Sequence, residues 1–449
     1  MRHFRHILSF SKDSDPIIAK EQYMRFAVHQ HTLVLKDNRL VRRHFIVLED
    51  DFKNIIGWTD WHKYLRNPSR KKSDLLQADQ EKRARVVVKF LNYVFFDYFQ
   101  IDSLININVD MIRSYLNDYG MCTLPDDDPY STHRSQTTVD RTISYIIDFV
   151  ELVIRYNPKI NLKTDELYVK GKVFSKRKRK WVETKVPAFQ VVCSDNGKVV
   201  FRDITDGAFR IIMNEIATSH TEILMLAALG AFAGLRPAEA CNVRRPDSKL
   251  GPGLIFEMTN GEVTDVVIDL SREYVLRSDL KSVGGIKKHK DRNVYPAFLG
   301  SFMDCFNTYM KYMEGRPYEA EYGALSVISN GKARTYSSYV QIFKQVVIDC
   351  IPKMLASDDP QTVHYGHLLQ EHHLGPHIFR HWFSVMLTLN GEDVPALMFY
   401  RGDTSPESSL TYLQNKSELE RQYKQVNEKM FNYLMWKSEK LNGDTDDKS

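Results

Sequence analysis

Apolar positions between residues 75 and 165 return at steps of three and four residues, the period of a helix with one buried face. A helix is predicted over residues 109–119, and Gly120 is its stop signal. Another helix is predicted to open at Thr137 or Thr138, because either hydroxyl can cap a first turn. The segment is therefore predicted to form a small all-helical domain.

The pattern after residue 200 is mainly helical, with one short departure. Apolar positions alternate with polar ones on both sides of Asn260-Gly261, a pair that favours a tight β-hairpin. The chain is therefore predicted to be mainly α with a small antiparallel β-sheet. A second domain is predicted over residues 200–436 and a polar tail over 437–449, while residues 1–74 have no clean period and are predicted to be an N-terminal extension without an assigned role.

Composition adds little to this picture, but the distribution of charge adds more. With 43% apolar and 27% charged residues, the chain is typical of a folded protein, and its net charge is only +5. Residues 170–185 carry eight basic side chains and one acidic one, a local charge of +7, which leaves about −2 for the rest of the chain. This predicts a basic linker over residues 166–199 that binds a polyanion, and the alternative is a solvated loop. The residues expected to bind are Lys170, Lys172, Lys176, Arg177, Lys178, Arg179 and Lys180.

Cysteine and histidine usage predicts no metal and no disulfide. The five cysteines are scattered without a CxxC spacing, so neither a disulfide framework nor a zinc ribbon is indicated. Six histidines between His364 and His381 suggest zinc, but no HExxH motif occurs and Gly375-Pro376 interrupts the helix. The first residues turn polar at Ser9 before a signal-length apolar segment forms. A cytoplasmic protein is expected.

A cluster of donors and a phenol lie near the end of the chain. His377 and Arg380 are three residues apart and therefore face the same side of a helical turn. Together they can offer several N–H donors to one anion, and Tyr412 follows Arg380 by 32 residues. A tyrosine beside such a cluster is suited to attack phosphorus, which predicts cleavage of DNA without metal or ATP.

The same residues carry a resemblance to the tyrosine recombinases of the phage-integrase family, over residues 75 to about 436. Gly234-Leu235-Arg236-Pro237-Ala238-Glu239 resembles the setting of the family's first catalytic arginine, and His377 to His381 resembles its His-x-x-Arg-His cluster. Ten residues separate Gly402 from Tyr412, which matches the family's nucleophile. The catalytic residues that the resemblance implies are Arg236, Lys288, His377, Arg380 and Tyr412, with Glu239, His381 and Asp403 in supporting positions.

Two points stay open within this resemblance. The catalytic lysine is matched best by Lys288, and Lys287 and Lys290 are close alternatives. Asp403 departs from the family, which has His or Trp after the glycine. An ionised carboxylate cannot donate to a phosphate oxygen and repels it. Either Asp403 turns away to hold Arg401 or a neighbour, or the last step of the reaction is tuned differently.

The resemblance implies a site-specific DNA recombinase. Its tyrosine would form a 3′-phosphotyrosyl link to DNA, and a 5′-hydroxyl from another strand would reverse the step. Duplex DNA is the expected partner, and Arg141 on the helical domain is expected to contact it. The protein is expected to assemble on the DNA site as a homo-tetramer. An accessory directionality factor, no cofactor, no metal and a nucleoid-associated location are also implied. The alternatives are a type IB topoisomerase and a catalytically silent DNA-binding protein of the same fold.

Overall fold

The structure is a computed structural model that describes residues 24–65, 77–128, 130–131, 133–175, 180–194, 204–316, 322–403 and 406. The chain divides into two compact units. The first comprises Met1–Leu33 and Val41–Lys198, and the second comprises Val34–Leu40 and Val199–Ser449. Each unit has its own hydrophobic core.

The first unit begins with a three-stranded sheet in a segment where the sequence predicted no element. The strands are β1 (Met24–Val34), β2 (Leu40–Asp50) and β3 (Ile55–Trp58), in the order β1-β2-β3. Every second side chain of β2 from Leu40 to Leu48 is buried, as expected for a strand on a core. Two of those buried positions are Arg42 and His44, so polar residues conceal the alternation.

Three helices complete the core of the first unit: α1 (Gln77–Asn92), α2 (Val109–Gly120) and α3 (Gln136–Tyr156). The predicted helix at 109–119 is confirmed, and Asn108 caps it by accepting a hydrogen bond from Met111 N at 3.0 Å. The predicted cap of α3 at Thr137 or Thr138 lies two to three residues beyond the observed N-cap position, Ser135. Ser135 precedes the helix as an extended residue because it pairs with Ser194, and helical geometry begins at Gln136.

The basic segment forms an antiparallel ribbon of two strands, β4 (Tyr168–Ser175) and β5 (Lys180–Pro187). Lys170 pairs with Lys185 across the ribbon and Lys172 pairs with Glu183. Residues 176–179 lie outside the described residues. Lys185 is also paired with Asp165, at 2.7 Å.

The second unit is mainly helical around a small sheet. Its sheet has the order β6-β7-β8, and the predicted turn at Asn260-Gly261 is confirmed, with φ of 53° and 87°. Positive φ at both positions is the geometry of a tight hairpin turn, which asparagine and glycine adopt with little strain. The elements are α4 (Asp206–Ser219), α5 (Leu224–Ala233), α6 (Pro237–Ala240), β6 (Leu254–Thr259), β7 (Glu262–Ile268), β8 (Arg292–Asn293), α7 (Leu299–Met313), α8 (Tyr336–Leu355), α9 (Pro360–Glu371), α10 (Ile378–Leu389) and α11 (Val394–Arg401).

Helix α5 is buried on every side, as its uninterrupted apolar sequence predicts. It packs closely on α10, because Gly230 and Gly234 leave room for Phe379 and Phe383. Helix α10 is also held by Trp382, whose ring stacks on Phe209 with centroids 4.0 Å apart. Among the described helices, none alone is long and apolar enough to cross a membrane; one pair, 206–219 with 221–233, meets that test of length and composition only jointly and is bent by 110°.

Candidate active site

Arg236 is fixed by the turn between α5 and α6. Gly234 ends α5 in the left-handed conformation (φ 62°), and Pro237 starts α6 with a φ that suits a first helical turn. Glu239, fully buried, accepts a hydrogen bond from the backbone N of Arg236 and another from its Nη1, each at 3.1 Å. These two bonds hold both the backbone and the guanidinium of Arg236, so its second nitrogen, Nη2, is presented in a defined direction.

Arg380 lies in the first turn of α10 and is almost completely buried. Its Nη1 donates to the backbone carbonyls of Gly234 and Arg401, the latter at 2.9 Å. The guanidinium thus ties the end of α5 to the end of α11. Desolvation and the charges of Arg236 and Arg401 lower the pKa of Arg380. An arginine nevertheless stays protonated at neutral pH, and the lowered pKa indicates a strong demand for an anion.

That anion is Asp403, which corrects one of the expectations from the sequence. Its Oδ1 accepts from Nη2 of Arg236 and from Nη2 of Arg380, each at 2.9 Å. Its Oδ2 lies 3.1 Å from Nε of Arg401. The carboxylate therefore does hold Arg401, but it does not turn away from the site. Three desolvated guanidiniums attract it more strongly than solvent does.

The turn at Gly402 aims the carboxylate into the pocket. Gly402 ends α11 in the left-handed conformation (φ 66°), and the backbone N of Asp403 donates to Met398 O at 3.0 Å. This closure is a common helix ending that requires a glycine. The Asp403 Oδ1 atom lies between two guanidinium groups, an arrangement that suits an anionic oxygen.

His377 and His381 lie beside the arginines at the start of α10. Their rings are 5.0 Å apart and nearly perpendicular. His377 is exposed as a residue. Partial desolvation and the charges of Arg380, Arg236 and Arg401 lower the pKa of His377 to about 4. The imidazole is therefore neutral at pH 7 and can accept a proton or a hydrogen bond.

The lysine alternatives lie on the connection between β7 and β8. The charge of Arg236, then desolvation and the charge of Lys288, lower the pKa of Lys287, and Arg380 adds to the effect. Desolvation and the charge of Arg292 lower the pKa of Lys290. Lys287 is exposed, and its ammonium group lies in the field of both site arginines. Lys288, the best match by motif, is half-buried.

The remaining predicted residues lie either outside the described residues or on the first unit. Tyr412 lies outside the described residues, as do Lys176, Arg177, Lys178 and Arg179. Lys170, Lys172 and Lys180 are exposed on the ribbon of the first unit, and Arg141 is exposed on α3 of the same unit.

Sequence reasoning missed Arg292 on β8. Its side chain is buried against Gly402, where a Cβ atom would overlap the guanidinium. The signal was present in the sequence, because Arg292 stands two residues before the buried Val294 and side chains two apart in a strand face the same way. A charged residue on the buried face of a strand indicates a specific role.

A group of metal-ligating side chains lies elsewhere in the second unit. Ligand atoms of Glu215, His220 and Asp349 lie within 4.8 Å of one another. Each already has a protein partner: Glu215 is paired with Lys353, and His220 Nε2 lies 3.0 Å from Asp349 Oδ2. The arrangement is that of an ion-pair network joining α4 to α8.

No protein-family model matches the chain, and no curated protein matches it. It is similar to the XerH site-specific recombinase bound to difH substrate, with 14% identity, a TM-score of 0.44, and coverage of 75% of this chain and 77% of that one. It is also similar to the Tn1549 transposon integrase in complex with transposon right end DNA, with 16% identity, a TM-score of 0.45, and coverage of 80% and 97%. XerA recombinase matches with 14% identity, a TM-score of 0.32, and coverage of 78% and 91%. The described part of this chain is mainly helical with small antiparallel sheets.

Proposed function

We propose that this chain is a tyrosine recombinase that cuts and rejoins duplex DNA at specific sites through a 3′-phosphotyrosyl intermediate. The observation that carries the proposal is the convergence of Arg236 and Arg380 on a single carboxylate oxygen, at 2.9 Å each. These arginines are 144 residues apart in sequence, and each is held in place by bonds that a generic surface arginine lacks. A pocket that gathers two guanidiniums around one oxygen suits a phosphodiester.

In the proposed reaction the scissile phosphate takes the position of the Asp403 carboxylate. The Oη atom of Tyr412 attacks phosphorus, the Tyr–O–P bond forms, and the bond from phosphorus to the 5′ oxygen breaks. Arg236 and Arg380 stabilise the charge that develops on the non-bridging oxygens, and each such donor is worth about 3–4 kcal/mol in the transition state. The 3′-phosphotyrosyl link retains the bond energy, so a 5′-hydroxyl can later reverse the step.

Two protons move in this step. The phenol loses its proton to His377, whose neutral ring at pH 7 can accept it. The departing 5′ oxygen receives a proton from a lysine of the β7–β8 connection. Lys287 is the better donor on electrostatic grounds, because its lowered pKa brings the ammonium group closer to the acidity that general acid catalysis requires.

DNA affinity is proposed to come largely from exposed basic residues of the first unit. Lys170, Lys172 and Lys180 are exposed on the β4–β5 ribbon, and Arg141 is exposed on α3. A ribbon that contacts four phosphates would add a slope of about −3.6 to the dependence of log affinity on log salt. Assembly of four copies on the recombination site, and an accessory directionality factor, belong to the proposal as further partners.

A second function deserves testing because Asp403 fills the anion pocket. A catalytically silent DNA-binding protein could use the fold and keep the carboxylate as a permanent occupant. A type IB topoisomerase would use the same residues and religate the strand that it cut. The three functions differ in whether a covalent adduct forms and in which DNA is processed.

The test uses the full chain and a nicked duplex that carries a site selected from randomised DNA. The wild type is expected to form a covalent protein–DNA adduct that survives denaturing electrophoresis, and Tyr412→Phe is expected to form none. Tyr400→Phe is the matched control. Tyr400 lies in α11 and packs against Tyr295, so removal of its hydroxyl is expected to leave adduct formation intact. DNA binding by wild type without an adduct would establish the silent protein, and relaxation of plasmid that lacks the site would establish the topoisomerase.

A further inference from the structure

Arg292 is a buried guanidinium that the proposed reaction does not use. Only 1% of the residue is exposed, and its Nη1 donates to the backbone carbonyls of Lys290 and Asp291, each at 3.0 Å. Within the part of the chain that the structure describes, its Nε and Nη2 have no hydrogen-bond partner. A buried charged donor without a partner is strongly unfavourable, so a protein rarely keeps one without a use.

The unpartnered edge of Arg292 lies next to the residue that fills the anion pocket. The guanidinium packs directly against Gly402, at a distance that excludes any side chain there. Asp403 follows, and its charge acts on Arg292 together with those of Glu239 and Arg236. Nε and Nη2 form one edge of the guanidinium plane, and this edge can bind both oxygens of a carboxylate at once.

The Asp403 carboxylate and a DNA phosphate need the same two donors. Nη2 of Arg236 and Nη2 of Arg380 both point at Asp403 Oδ1. A phosphate that takes these donors leaves the carboxylate beside another negative charge, which is unfavourable in a buried site. Arg401 still faces Oδ2 at 3.1 Å, but Oδ1 loses both of its donors and needs another cationic partner within reach of a side-chain rotation.

We propose that Arg292 is that partner, and that Asp403 moves from the Arg236–Arg380 pair to the Nε–Nη2 edge of Arg292 when a phosphate binds. Arg292 is then a positioning residue with two effects. It removes the competing carboxylate from the phosphate pocket, and its Nη1 holds the backbone of the lysine-bearing connection at Lys290. This inference rests on the proposed function, because the anion that displaces Asp403 is the scissile phosphate.

A double-mutant cycle tests the proposal. Arg292→Met, Asp403→Asn and the double variant are compared with wild type for affinity to the nicked duplex and for the rate of adduct formation. In the wild-type background Arg292→Met is expected to lower both by roughly 10- to 100-fold, the worth of a hydrogen bond to a charged group. In the Asp403→Asn background the effect of Arg292→Met on affinity is expected to fall within about twofold of unity, because no displaced charge needs a partner. Any slowing of adduct formation that remains in that background comes from the lost bond between Nη1 and the Lys290 carbonyl.

Two controls separate this role from a structural one. Arg277→Met removes another buried arginine of the same unit, which is bonded to Asp279 and to a backbone carbonyl, and its effect is expected to be the same in both backgrounds. Arg292→Lys keeps the charge but loses the two-donor edge, and it is expected to retain the thermal melting profile of the wild type while showing most of the defect. It is the variant to use if Arg292→Met does not fold.

The outcomes distinguish the two levels of inference. An equal loss of DNA affinity from Arg292→Met in both backgrounds overturns the role of Arg292, whatever the adduct assay shows. If Arg292→Met and Asp403→Asn are coupled in DNA affinity but the wild type forms no adduct, the exchange of partners is supported and the recombinase function is refuted. If the wild type forms the adduct but the two substitutions act independently on DNA affinity, the recombinase function is supported and the exchange of partners is refuted.

Discussion

Replacing Asp403 with asparagine should lower the free energy of unfolding of the free protein and raise its affinity for DNA. The side chain is only 8% exposed, and it carries the negative charge that faces Arg236, Arg380 and Arg401. Removing one partner of a buried ion pair costs about 3–5 kcal/mol, since the opposite charge is left uncompensated. The amide oxygen can still accept hydrogen bonds, so the lower end of that range, about 3 kcal/mol, is expected.

The loss of stability is measured by denaturant and by heat. For a unit of roughly 250 residues, about 3 kcal/mol corresponds to a decrease of about 6–12 °C in the melting temperature of that unit. Asp247→Asn is the control, because Asp247 also pairs with an arginine, at 3.2 Å, but its side chain is 71% exposed. An exposed pair contributes less than about 1 kcal/mol, and this variant should melt with the wild type.

The affinity of Asp403→Asn for the nicked duplex is measured by fluorescence anisotropy on the same samples. The neutral amide no longer competes with phosphate for the two Nη2 donors, so binding should be tighter although the fold is weaker. An unchanged denaturation midpoint would refute the view that this carboxylate neutralises the buried guanidiniums. Weaker DNA binding would refute the view that it competes with phosphate.

Three further predictions follow from single side chains. The folded-state pKa of His377, about 4, lies below its ordinary 6.5, so the unfolded chain binds more protons between these values; stability should fall as pH drops from 6.5 towards 4, and His377→Gln should flatten that part of a denaturation series. Lys287→Ala should slow adduct formation by about 10²–10⁴-fold, with recovery on a duplex that has a 5′-sulfur leaving group, and a larger effect of Lys288→Ala would reverse the assignment. Gly402→Ala should lower the free energy of unfolding by about 1–3 kcal/mol, because φ is positive there and a Cβ overlaps Arg292; a wild-type melting curve would contradict this.

Local patterns predicted those parts of the fold that depend on neighbours in sequence. The helix ending at Gly120 and the hairpin at Asn260-Gly261 follow from short-range stereochemistry, which the sequence carries in full. Strand β2 was not predicted from the sequence because Arg42 and His44 occupy buried positions in its alternating pattern. His44 faces Glu81 of α1 at 3.9 Å, a neighbour 37 residues away that no local window of sequence contains.

The site shows the same division. The family motifs indicated Arg236 and Arg380, and the structure brings their Nη2 atoms to one oxygen. The direction of Asp403 was not predictable, because it depends on the summed field of guanidiniums from three separate segments. Asp403 and a phosphate repel each other when they are considered alone, but the surrounding guanidiniums decide the orientation of the Asp403 side chain. Arg292 was missed because its contact with Gly402 joins residues 110 apart in sequence.

The two carboxylates of the pocket differ in how firmly they are held, and this difference would let the proposed site be both preformed and open to phosphate. Glu239 is fully buried and binds the backbone N–H of Arg236 as well as its guanidinium, so its departure would leave a backbone donor unsatisfied. Asp403 binds guanidinium nitrogens that phosphate binds equally well. In the proposed exchange, phosphate would therefore replace Asp403 without disturbing the backbone that Glu239 holds, and the arginines would keep their geometry.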